Sequence, residues 1–89
     1  MSLEALVMKY ISTSEKVLIE VQRISSKVTV TKAEIDEILG CAKSYLEDAK
    51  YYRDQKKFET SLTSVAYCEG LLDALRLLGV VKFEWPKKA

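Results

Sequence analysis

Between Leu3 and Val28 one side of the chain is apolar at alternating spacings of three and four residues. The stripe runs through Leu3, Val7, Tyr10, Val17, Val21, Ile24 and Val28, with Leu6 and Leu18 widening it and Ser14 as its one polar interior position. That spacing marks one face of an α-helix, and it predicts an amphipathic helix over about residues 3–26. The β-branched run Val28-Thr29-Val30-Thr31 continues a helix poorly, so fraying is expected near Ser25 and Ser26.

Thr31 followed by Glu34 reads as a capping box, in which the hydroxyl accepts from an early helical N–H and the glutamate reaches back to the Thr31 N–H. A second helix over about residues 32–55 follows, lined on one face by Ile35, Ile38, Leu39, Ala42, Tyr45, Leu46, Ala49 and Tyr52. A third over about residues 58–78 is stopped by Gly79, the residue that most easily takes the left-handed conformation beyond a helix end. Its apolar residues fall on two faces: Phe58, Leu62, Val65 and Ala66 on one, Cys68, Leu71, Leu72, Leu75 and Leu78 on another. A helix apolar on so many sides is expected to be the most buried of the three.

Short connections favour antiparallel neighbours. The expected fold is therefore all-α: a single domain over residues 1–89, an antiparallel up-down-up three-helix bundle with a short extended C-terminal tail at 80–89. In that tail Val81, Phe83 and Trp85 alternate with Lys82 and Glu84 before Pro86-Lys87-Lys88. An extended apolar segment of this kind either folds back over the bundle or docks on a second copy or a partner.

Composition narrows the function classes. A chain of 89 residues buries only roughly 60 to 65% of its unfolded surface, which leaves little volume for an enclosed active site. Fourteen basic residues against thirteen acidic ones give a net charge of +1, far from the balance of nonspecific nucleic-acid binders. No apolar run approaches the length of a membrane span, and a cytoplasmic protein without a membrane partner is expected. Histidine is absent, Cys68 has no base to activate it, and no metal-ligand spacing accompanies the two cysteines. No enzyme activity, metal or cofactor is expected. With a reversal near Lys57, Cys41 and Cys68 lie too far apart along the helices to pair, and both read as small core residues.

Three side-chain groups carry candidate chemistry. Ser14, Tyr45, Glu69, Asp73 and Arg76 form a polar layer if the helices run up-down-up, read as a hydrogen-bonded register device, a small pocket for a cation or amine, or simply exposed surface. Lys50, Arg53, Lys56 and Lys57 make a basic corner beside Tyr51, Tyr52 and Phe58, either a solvated helix end or a seat for phosphate or RNA. Leu71, Leu75, Leu78, Phe83 and Trp85 are the candidate anchors of an interaction surface.

The segments Tyr45-Leu-Glu-Asp48-Ala49-Lys-Tyr-Tyr52, Lys57-Phe58-Glu-Thr-Ser61-Leu62, Ala66-Tyr67-Cys-Glu69-Gly70-Leu71-Leu72-Asp73-Ala74-Leu75 and Leu78-Gly79 resemble a family of short archaeal three-helix proteins catalogued as a domain of unknown function. The stretch Tyr67 to Gly79 is the specific part, with Cys68 standing where alanine is usual. The resemblance implies an archaeal cytoplasmic setting and an all-helical fold, and similar segments sit behind a cytidylyltransferase-like domain in some larger archaeal proteins. It implies no activity. The function expected from these observations is a non-catalytic helical module that binds a protein partner or a second copy of itself, with a nucleotide- or RNA-binding accessory domain as the alternative.

Overall fold

The computed structural model describes residues 2–24 and 27–86. It contains three α-helices, α1 (Leu3–Glu20), α2 (Lys32–Asp54) and α3 (Phe58–Leu77), and no strand among the described residues. Ser2 caps α1 by accepting from the Ala5 N–H at 3.1 Å. The capping box opens α2 as expected: Thr31 Oγ1 accepts from the Glu34 N–H at 3.1 Å, and Glu34 Oε1 accepts from the Thr31 N–H at 2.9 Å. The Thr31 N–H, and then the Thr31 hydroxyl donating to the same Glu34 Oε1 at 2.9 Å, hold the Glu34 carboxyl below its usual range.

Helices α2 and α3 form an antiparallel hairpin. Its seam is a heptad-like row on each side, Ile35, Ile38, Ala42, Tyr45, Ala49 and Tyr52 facing Ser61, Cys68, Leu71, Leu72 and Leu75. The fully buried members are Ala42, Ala49, Cys68 and Leu75. Three of these four are small, so the backbones approach closely enough for Ser61 Oγ to donate to the Ala49 carbonyl oxygen across the interface at 2.7 Å. Leu75, only 1% exposed, is the one large side chain enclosed.

Both ends of the hairpin close with the same device. At the end of α2, Lys56 N–H donates to the Arg53 carbonyl and Lys57 N–H to the Tyr52 carbonyl. At the end of α3, Gly79 N–H donates to the Arg76 carbonyl and Val80 N–H to the Leu75 carbonyl. This is the Schellman pattern, which needs a left-handed residue after the cap. Gly79 supplies it at φ 77°, but at the α2 turn Lys56 does so at φ 59°, a conformation that a side chain disfavours.

Three expectations are corrected. The turn centres near Lys56 rather than Lys57, so Tyr45 meets the Tyr67 ring, with centroids 4.4 Å apart, instead of standing level with Glu69. Cys68 is buried but Cys41 is exposed, because Ala42 takes the seam position. Helix α1 ends at Glu20, with Val21 in an extended conformation at ψ 137°, rather than continuing to about residue 26. The expected fraying at Ser25 and Ser26 lies outside the described residues.

None of the eighteen residues of α1 is buried, and no Cα of this helix lies within 8 Å of a Cα of α2 or α3. Packed helix axes normally lie about 8–10 Å apart with Cα atoms well inside that distance, so the hairpin carries the core and α1 stands off from it. Helix α3 is correspondingly open on its far side, where Leu62 and Leu77 are exposed.

Leu75→Ala is expected to lower stability by about 2–5 kcal/mol through the cavity it leaves, and Ser61→Ala by about 1 kcal/mol through the lost bond to Ala49. Lys56→Gly should raise it by about 1 kcal/mol by relieving the left-handed lysine. Urea unfolding followed by circular dichroism measures all three.

Candidate functional site: a latched tail and an open helical face

The alternating tail folds back. Beyond Gly79, Val80, Val81 and Phe83 are half-buried, and Trp85 Nε1 donates to Asp73 Oδ1 at 2.7 Å. Arg76, one turn along α3 from Asp73, donates to the same oxygen through Nη2 at 3.3 Å. The Phe83 ring lies beneath the Arg76 guanidinium, 5.9 Å from its Cζ, and meets Trp85 edge-on with centroids 5.0 Å apart. Each of the four side chains thus touches at least two others. An indole N–H and a guanidinium both favour the carboxylate form, so the Asp73 carboxyl is held below its usual range, mainly by Trp85 and then by Arg76.

Of the expected polar layer, Asp73 and Arg76 are brought together, with the tail rather than the other helices completing the group. Ser14 is exposed on α1, Tyr45 packs on Tyr67, and Glu69 is exposed. Among the described residues no cluster of three or more cysteine, aspartate or glutamate side chains is placed to hold a metal ion. Burial, with the negative Glu69 beside it, pushes the Cys68 thiol up and keeps it protonated.

The basic corner is partly neutralised by its neighbours. Lys50 Nζ lies 3.2 Å from Glu47 Oε1 and Arg53 Nε lies 3.0 Å from Asp54 Oδ1. Lys56 and Lys57 are exposed and line a depression of about 340 Å³ with Phe58, Glu59 and Thr60. Tyr51 and Tyr52 meet edge-on beside it, centroids 5.3 Å apart.

The candidate interaction anchors divide. Leu75 is enclosed in the hairpin and Leu71 is half-buried there, Phe83 and Trp85 are engaged by the latch, and Leu78 is exposed. The larger open apolar surface belongs to residues outside that group. Along α1, Leu3, Val7, Tyr10, Ile11, Val17 and Leu18 are exposed. The first half of this helix faces Glu59, Thr60 and Thr63 of α3 across an open groove of about 560 Å³. The stripe itself is legible in the sequence, but its lack of a partner is not, since periodicity reports which face is apolar and nothing about what covers it. The link from Trp85 to Asp73 was also missed, although an indole N–H on a segment folding back needs an acceptor.

These features define a small all-α protein built on a close-packed helical hairpin, with a tail latched to one helix and a second amphipathic helix left open. The chain belongs to the family described as Protein of unknown function (DUF357), whose model matches residues 9–81. The match takes in most of α1 as well as the hairpin segments that carry the resemblance. No curated protein and no solved structure matches the chain. Among the described residues no helix is long and apolar enough to cross a membrane.

Because Asp73 titrates lower when the latch is closed than when it is open, the latch's stabilisation is fully present above the ordinary aspartate range. It is lost as pH falls through the depressed folded value. Trp85 is the only tryptophan, so its fluorescence reports the latch directly. Its emission is expected to hold steady from neutral pH down to the usual carboxylate range and shift red below it. Asp73→Ala should show the red-shifted emission already at neutral pH, with helical circular dichroism unchanged.

Proposed function

We propose that this protein is a non-catalytic helical interaction module whose working surface is the apolar face of α1 together with the open side of α3. The observation that carries this reading is an eighteen-residue amphipathic helix with no buried residue. Isolated helices gain little stability in water, and most helical stability in proteins comes from packing an apolar face. Val7, Ile11, Thr13, Val17 and Ile19 add β-branched residues that weaken the intrinsic preference further. A partner that covers the stripe therefore supplies what the helix lacks. Exposed apolar area of this extent on a small protein is the usual mark of a binding surface.

The non-catalytic part of the proposal rests on the state of the reactive groups. Cys68 is buried with a raised thiol, and Asp73 is tied to Trp85 and Arg76. A nucleotide- or RNA-binding role for Lys50, Arg53, Lys56 and Lys57 has less support, because Glu47 and Asp54 each neutralise one of the four cations. Phosphate affinity rises with the number of unneutralised cations.

Affinity capture from the native host tests the module reading. The wild-type chain is expected to retain a defined polypeptide that a Val7→Glu, Ile11→Glu double variant loses, while Lys56→Glu with Lys57→Glu leaves it in place. Equal retention by wild type and the α1 variant would remove α1 from the working surface.

A further inference from the structure

Resting on the reading of α1 as an interaction surface, we infer that its occupant is a second copy of this chain. Two copies exchange their first helices, each laying its α1 stripe on the open side of the other's α3. Area carries the argument. The chain exposes 8189 Å², whereas a compact monomer of 10.1 kDa exposes about 5,300 Å². The difference is about 2,900 Å² per chain by the same scaling. If each copy hid half of that excess, the pair would bury about 2,900 Å² in total, within the roughly 2,000–5,000 Å² of obligate homodimers. The dimensions agree. The radius of gyration is 15.8 Å, against about 12 Å for a compact chain of this length.

The two helices match in extent, eighteen residues in α1 and twenty in α3. On α1 the stripe from Leu3 to Leu18 is apolar except for Ser14. On α3 the side turned away from α2 presents Leu62, Ala66, Gly70, Ala74 and Leu77, interspersed with Glu59, Thr63 and the latched Asp73, with Leu77 78% exposed and open space where a Gly70 side chain would stand. Large residues on one helix against small ones on the other allow close packing of the two backbones. Each chain carries one of each face, so a twofold axis satisfies both at once, the self-complementary arrangement of cyclic dimers. After Glu20 the backbone turns extended at Val21, and no Cα of α1 comes within 8 Å of a Cα of its own hairpin helices, so the stripe is available to a second copy.

Light scattering and small-angle X-ray scattering on the purified full chain test this. The expected mass is about 20 kDa, twice the 10.1 kDa of the chain, as the exchanged pair requires. Val7→Glu with Ile11→Glu should halve that mass. Leu77→Glu, which lies on the opposite face from the hairpin core, should halve it too while keeping the α2–α3 helical signal, so dissociation is separable from misfolding. Mixing the α1 variant with the Leu77 variant should restore heterodimers through the one intact contact. A wild-type monomer with a radius near 12 Å would mean that α1 closes on its own hairpin, and it would overturn both the exchange and the open-surface reading. A wild-type monomer as extended as 15.8 Å would overturn the exchange alone and leave the surface to a foreign partner.

Discussion

The close approach of α2 to α3 is the constraint on which the rest of the structure depends. Ala42, Ala49 and Cys68 remove side-chain bulk from the seam, and the resulting proximity lets the Ser61 hydroxyl reach a main-chain carbonyl of the facing helix. With four fully buried apolar residues among those described, the interface has few methylenes to contribute and relies on contact distance instead. Dispersion and hydrogen bonding both fall off steeply with separation. A larger residue at position 42 or 49 would thus remove more than its own fit, because every contact along the seam shares the same spacing.

The latch is a consequence of how α3 ends. Gly79 turns the chain sharply by its left-handed conformation, and the Val80 N–H bonds to the Leu75 carbonyl. From there an extended tail can only run back along the helix it has just left. Asp73 and Arg76, one turn apart, meet it with an acceptor and a flat cation, and Trp85 and Phe83 supply the matching donor and ring. Asp73 and Arg76 thereby seat an aromatic pair. The apolar surface left open is the helical one of α1.

Helix α1 is the element that the hairpin leaves uncovered. Its caps and periodicity give it a helical form, yet its stripe is exposed, and a protein of this size has no second hydrophobic layer to offer it other than the far side of α3. Small domains are marginal because so little of their surface is hidden, and hiding this stripe adds to stability in proportion to the area covered.

Sequence by itself determined the three helices, the Thr31–Glu34 box, the stop at Gly79 and the all-α class, because caps, periodicity and glycine act within a few residues of one another. Lys56 in the left-handed position was not legible, since lysine carries no conformational signature and only the hairpin's geometry forces it there. Nor were the Tyr45–Tyr67 stacking, the exposure of Cys41 or the bond from Trp85 to Asp73, which depend on a register set by where the turn centres. An amphipathic pattern states that a face is apolar, whereas which surface it meets is decided by contacts between residues far apart in the chain. That is why α2 and α3 found each other and why the stripe of α1 was left open.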